Sequence, residues 1–146
     1  MLASISSLSD AKDADYDFNL TFIGDSNVGK SNILSQVIGR PFQLENYSTA
    51  GVDFKTKRIM LGDACIHLQL FDTSGSPQFA CFLDGYLRGA NGILLCYDIT
   101  SRESFERLEL HMKKIADYAE RNTPVMLLGN KCDLEHLRAV SYEEGK

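Results

Sequence analysis

The sequence predicts an α/β domain with a mostly parallel sheet and helices on both faces. Three observations carry this reading. Strand-sized apolar runs alternate with segments of helical periodicity once a single hairpin has passed. The runs Gly92–Tyr97 and Val125–Gly129 are almost continuously apolar, as strands covered on both faces are. The 146 residues, 44% hydrophobic and 24% charged, suffice for one layered core but not for two.

Residues 1–17 are rich in Ser and Asp, and they read as a disordered tail ahead of a domain spanning 18–146. Phe18, Leu20, Phe22 and Ile23 open the first strand, which stops at a glycine-bearing loop, Gly24 to Ser31. Ile33, Leu34, Val37 and Ile38 then fall at helical spacing, and Gly39-Arg40-Pro41 closes that helix. A polar connection leads to Val52–Leu61, an alternating strand answered across Gly62-Asp63 by Cys65–Phe71, which makes a hairpin. Lys55, Lys57 and Arg58 on its first strand read as a solvated edge that discourages unwanted pairing. Asp72 to Arg88 lacks clean periodicity and is expected to be irregular, with at most a short helix. Ile93–Tyr97 is a buried strand. Thr100-Ser-Arg-Glu103 fits a capping box for a helix whose core face is Phe105, Leu108, Met112, Ile115 and Ala119. Val125–Gly129 reads as another buried strand, ending at Asn130-Lys131-Cys132-Asp133.

The formal charge of -5 gives no electrostatic reason to bind nucleic acid. No apolar run approaches the roughly 20 residues that a membrane-spanning helix needs, so direct membrane insertion is not expected. The four cysteines form no C-x-x-C pair and the three histidines never recur at ligand spacing, which makes the thiols packing residues.

The chemistry concentrates where strands end. Gly24-x-x-x-x-Gly29-Lys30-Ser31 is G-x-x-x-x-G-K-[ST] between a strand and a helix, the context this phosphate-binding loop demands. Glycines let the backbone wrap a phosphate, and the N–H groups from Asn27 to Ser31 point inward at a helix start. Lys30 reaches the outer phosphates, and the Ser31 hydroxyl suits Mg²⁺. The loop alone leaves ATP and GTP open, with kinases and motor ATPases among its users. Asp72-Thr-Ser-Gly75 offers a carboxylate for Mg²⁺ through water and a glycine N–H for a γ-phosphate oxygen. Asp133 can accept two hydrogen bonds from guanine N1–H and its exocyclic amine, which adenine cannot supply.

With these residues in place, the chain resembles the Ras-superfamily small GTPases, most of all the Rab branch. The match runs essentially ungapped from Phe18 to about Tyr142. It includes Ser48-Thr49-Ala-Gly-Val-Asp-Phe-Lys55, His67-Leu-Gln-Leu-Phe71, Tyr86-Leu-Arg-Gly-Ala90 and Tyr97-Asp-Ile-Thr100. The resemblance implies the G-domain fold of P-loop NTPases and a nucleotide site of Asp25, Ser26, Asn27, Val28, Gly29, Lys30, Ser31 and Asn32. Phe42, Thr49, Asp72, Gly75, Asn130, Lys131 and Asp133 complete that site. Ser31, Thr49 and Asp72 would hold Mg²⁺ with GTP or GDP, while Lys30, Thr49, Gly75 and Ser76 would stand where the γ-phosphate is cleaved. Phe54, Phe71 and Tyr86 resemble the aromatic positions that present a nucleotide-dependent surface to effectors. A membrane-traffic switch follows by resemblance, with an exchange factor, an activating protein and effectors as partners. It would be cytoplasmic, and on endomembranes if a full-length form carries a prenylated tail.

The departures are specific. The family's second switch reads D-T-A-G-Q-E-R-F, whereas this chain has Asp72-Thr-Ser-Gly-Ser-Pro-Gln-Phe79. Ser76 therefore stands in place of the water-orienting glutamine, Gln78 cannot replace it without a register shift, and Pro77 restricts the loop. Slow hydrolysis is the expectation. Ala50 replaces the usual isoleucine beside Thr49. The chain also lacks the family's S-A-K loop, last strand and last helix, so apolar sheet surface should be exposed. A non-cycling interaction module with a crippled nucleotide site is the alternative reading. Another P-loop enzyme, an ATPase or nucleotide kinase, is a third.

Overall fold

Five strands, β1 (Tyr16–Ile23), β2 (Val52–Leu61), β3 (Ala64–Thr73), β4 (Gly92–Asp98) and β5 (Val125–Asn130), form one sheet in the order β2-β3-β1-β4-β5. The computed structural model describes residues 13–42, 49–76 and 80–146. Only the β2–β3 hairpin is antiparallel; β1 pairs in parallel with β3 and β4, and β4 with β5. This is the mostly parallel α/β sheet that the sequence predicts. The expected N-terminal tail lies largely outside the described residues. β1 already begins at Tyr16, and Asp17 Oδ1 meets His67 Nδ1 at 2.6 Å.

Strand alternation sorts the core into two layers. From β1, Phe22 faces α1 (Lys30–Val37) and packs with Val28, Leu34, Leu70 and Cys96. Its neighbour Ile23 faces α2 (Ala80–Arg88) and α4 (Leu108–Tyr118), in a cluster with Leu83, Leu87, Ile93, Leu95, Tyr97, Leu108 and Ile115. Helices thus cover both faces. Leu87 has no exposed surface. Leu87→Ala is expected to cost about 3 kcal/mol of stability, within the range for a buried leucine that leaves a cavity. A denaturant midpoint unchanged from wild type would contradict this packing.

Asp72 to Arg88 holds the one short helix expected there, α2, in which Leu83 and Leu87 bury one i, i+4 stripe. Several other local expectations need correction. The cap of the next helix, α3 (Arg102–Glu106), is Ser101 rather than Thr100: its hydroxyl accepts the Ser104 N–H at 3.2 Å. Thr100 is committed elsewhere, donating to Asp98. The helical run is also split at Arg107 into α3 and α4, and Met112 is exposed rather than core. β5 is not buried: Val125, Met126 and Leu127 are exposed, because among the described residues β5 pairs with β4 alone and forms the sheet edge. Cys65 and Cys96 are packing thiols, but Cys132 is exposed.

Beyond β5 the chain returns to the core, which periodicity did not foresee. Ala139 and Val140 both donate N–H to Ile99 O, and Val140 is fully buried. Glu144 then pairs with Arg102 at 2.6 Å. The parallel arrangement leaves Ile23, Thr73, Asp98 and Asn130 at one end of the sheet, where α/β folds place their ligands.

Candidate functional site

A cavity of about 510 Å³ opens at that end, between the Gly24–Ser31 loop, the segment around Gly75 and the Asn130–Leu134 stretch. Glycines shape the loop at two close approaches. At Gly24 (φ +149°) a Cβ would lie 2.2 Å from Cys96 O, so only glycine lets the loop cross β4. At Gly29 (φ +96°) a Cβ would lie 2.2 Å from Asn130 Nδ2. Gly29 is also the N-cap of α1 and supplies no side-chain cap, which leaves the first-turn N–H groups turned toward the cavity. Together with Asn27 (φ +65°), these left-handed residues give the concave backbone that binds anions.

Lys30 is 6% exposed, and its Nζ donates to Gly24 O at 2.8 Å and Asp25 O at 2.7 Å. Burial lowers its pKa, opposed by the charge of Asp72. The Asp72 carboxyl is pushed up, first by burial, against the hydrogen bond from Ser31. Its Oδ2 accepts from Ser31 Oγ and lies 3.5 Å from Thr49 Oγ1, and the two hydroxyls are 3.1 Å apart. Its Oδ1 is buried without a hydrogen-bond partner. A carboxylate with one orphaned oxygen beside two hydroxyls is a donor set that fits a hard divalent cation such as Mg²⁺.

The opposite end of the cavity is built on β5. Asn130 Nδ2 donates to Val28 O at 2.8 Å, tying this end to the phosphate loop. Lys131 adopts a left-handed conformation (φ +65°) and its Nζ lies 2.6 Å from Asp98 Oδ2. Burial alone would raise the Asp98 pKa, but hydrogen bonds from Lys131 and Thr100 outweigh it and hold the carboxyl below its usual value. Asp133 is exposed and lines the cavity, and Phe42 is exposed and lines it as well.

Of the residues predicted from sequence, Ser26, Asn27, Gly29, Lys30, Ser31, Asn32, Phe42, Thr49, Gly75, Asn130, Lys131 and Asp133 all line this cavity. Asp72 stands behind Ser31 and Thr49. Asp25 and Val28 instead face a second cleft of about 270 Å³ on the far side of the loop. There Asp25 Oδ1 meets His111 Nε2 at 2.9 Å and its Oδ2 lies 3.4 Å from Arg107 Nη1. Ser76 is not among the cavity-lining residues, and its N–H donates to Ser74 Oγ at 3.2 Å. Gly75 presses on the phosphate loop: a Cβ there would lie 2.2 Å from Ser26 N. The expectations for Ser48, Pro77, Gln78 and Phe79 lie outside the described residues. Phe54, Phe71 and Tyr86 form a continuous aromatic row, with centroids 5.2 and 5.0 Å apart. Sequence reading missed Asp98, Arg107 and His111, whose contacts with the site run between distant segments.

The family model described as the Ras family matches residues 19–146. The chain is 46% identical over 134 residues to the Ras-related protein Rab11B of Nicotiana tabacum, covering 92% of this chain and 62% of that protein. It is 46% identical over 136 residues to the Ras-related protein RABA1g of Arabidopsis thaliana, covering 92% and 63%. It is likewise 44% identical over 132 residues to the Ras-related protein Rab2BV of Beta vulgaris, covering 90% and 62%. The chain therefore spans less than two thirds of the length of these curated relatives.

Proposed function

Because the chain belongs to the Ras family, we propose that it is a Rab-type switch that binds GTP and GDP with Mg²⁺, hydrolyses GTP slowly and acts in membrane traffic. One observation carries the reading. A single cavity joins a buried lysine and a Ser31–Thr49–Asp72 oxygen cluster at one end to Asn130, Lys131 and Asp133 at the other. A phosphate tail would lie at the first end and a purine base at the second.

At the phosphate end, backbone N–H groups from Asn27 to Ser31 donate to the β-phosphate oxygens, and Lys30 exchanges the carbonyls of Gly24 and Asp25 for phosphate oxygens. Ser31, Thr49 and Asp72 would hold Mg²⁺, which supplies positive charge against the phosphate oxygens when bound. Gly75, free of a side chain, brings its N–H toward the γ-phosphate. At the base end, Asp133 accepts from guanine N1–H and the exocyclic amine, and adenine leaves that carboxylate unpaired. Phe42 packs at the exposed edge of the base.

Ser76 is too short to hold the attacking water and lies outside the cavity lining, which supports slow hydrolysis. The same observation favours a second reading, a non-cycling module that engages partners through Phe54, Phe71 and Tyr86. In either case the G-domain includes the strand that begins at Tyr16. An exchange factor, an activating protein and effectors are the partners, and the site of action is the cytoplasm, with the cytoplasmic face of endomembranes added if a full-length form carries a prenylated tail. Among the described residues no helix is long and apolar enough to cross a membrane.

Competition against a fluorescent GDP analogue tests the reading. GDP and GTP should displace the probe, ATP should fail even at about 10³-fold excess, and chelating Mg²⁺ should weaken binding. Equal competition by ATP would mean an adenine-nucleotide enzyme, and no binding by a folded chain would leave the interaction module.

A further inference from the structure

Asp98 ends β4 in register with Asn130 of β5 and is 7% exposed. It does not line the nucleotide cavity. All its polar groups are committed. Oδ1 accepts the N–H and the hydroxyl of Thr100 at 2.8 and 2.7 Å, and its own N–H donates to Ser104 Oγ at 3.1 Å. Oδ2 meets Lys131 Nζ at 2.6 Å. The next residue, Ile99, donates its N–H to Asn130 O at 3.1 Å, so backbone and side chain both tie the end of β4 to the base end of the site.

Lys131 lines the nucleotide cavity and the second cleft alike, so its side chain runs along the wall between them. A lysine stem has four rotatable bonds and loses much rotamer freedom when ordered. An anchor whose carboxylate accepts two hydrogen bonds from Thr100 removes that loss before a ligand arrives, which is the preorganisation that raises affinity without a new contact.

We propose that Asp98 is a positioning residue: it fixes Lys131 in the conformation that walls the base end of the cavity, and so sets guanine affinity without touching the nucleotide. This rests on the guanine-nucleotide reading above. A role confined to the Thr100–Ser104 turn would stabilise the fold but would not distinguish base from phosphate.

The test uses the full chain with Mg²⁺ and two probes, GDP and inorganic tripolyphosphate, which has phosphates but no base. Asp98→Asn keeps the volume and an acceptor for Thr100 but removes the charge that holds Lys131. GDP affinity should fall about three- to tenfold, the range set by ordering one lysine side chain, with tripolyphosphate affinity unchanged. In the Lys131→Ala background the Asp98→Asn change should have no further effect on GDP. Thr100→Val, a milder change that loosens the anchor and leaves the carboxylate in place, should lower GDP affinity about twofold with the phosphate probe again unmoved. Unchanged GDP affinity, equal losses for both probes, or additive effects with Lys131→Ala would overturn the assignment. If wild type binds no guanine nucleotide, the functional reading falls along with it.

Discussion

Gly29→Ala is expected to reduce guanine-nucleotide affinity by about a hundredfold or more while leaving most of the fold in place. Two effects act together. The residue sits at φ +96°, where a side chain costs about 1–2 kcal/mol. Its new Cβ would also lie 2.2 Å from Asn130 Nδ2. Asn130 cannot yield freely, because that same amide donates to Val28 O at 2.8 Å. Relieving the clash breaks the bond between the base end and the phosphate loop, leaving Val28 O unpaired at about 1–3 kcal/mol. The control is Gly39→Ala, which has a similar φ of +81° but no atom within 4 Å of the new Cβ. It should lose a little stability and no nucleotide affinity. Circular dichroism with GDP titration of both variants separates these outcomes, and a Gly29→Ala chain that binds like wild type would contradict the coupling.

Ser76→Gln is expected to raise the single-turnover rate of GTP hydrolysis about ten- to a hundredfold. The missing function is the orientation of the attacking water, and a misplaced reacting group is ordinarily worth about 10² in rate. Ser76 follows Gly75, which already touches the phosphate loop, so a longer side chain at 76 starts next to the γ-phosphate position. The wild-type chain should also respond weakly to activating proteins, whose arginine otherwise contributes about 10³–10⁵. A quench-flow or phosphate-release assay on preloaded protein checks both. A wild-type rate typical of the family, or no gain in the glutamine variant, would contradict the assignment of Ser76.

What the sequence made legible was local. Gly24 to Ser31 identifies itself because the residues that bind phosphate are adjacent and sit between a strand and a helix, so neither fold nor partner need be known. The mostly parallel sense of the sheet follows from the alternation of apolar runs with helical segments. Misreadings arose where neighbours outside the local window decide. Val125–Gly129 is apolar enough for a central strand, but only its position at the sheet edge determines that Val125, Met126 and Leu127 are exposed. Thr100 has the right chemistry for a cap, yet Asp98 recruits its hydroxyl and the cap passes to Ser101. Asp98, Arg107 and His111 escaped notice for the same reason. Their partners, Lys131 and Asp25, are brought to them by the parallel sheet and by α4, and no spacing rule reports a contact across 86 residues.

A cavity that holds a guanine nucleotide should carry one through purification. Purifying the chain gently in Mg²⁺, denaturing it and identifying the released nucleotide by chromatography tests it most directly. One guanine nucleotide per chain is expected, with GTP exceeding GDP because Ser76 leaves hydrolysis slow. A folded chain that releases adenine nucleotide, or none, would contradict it.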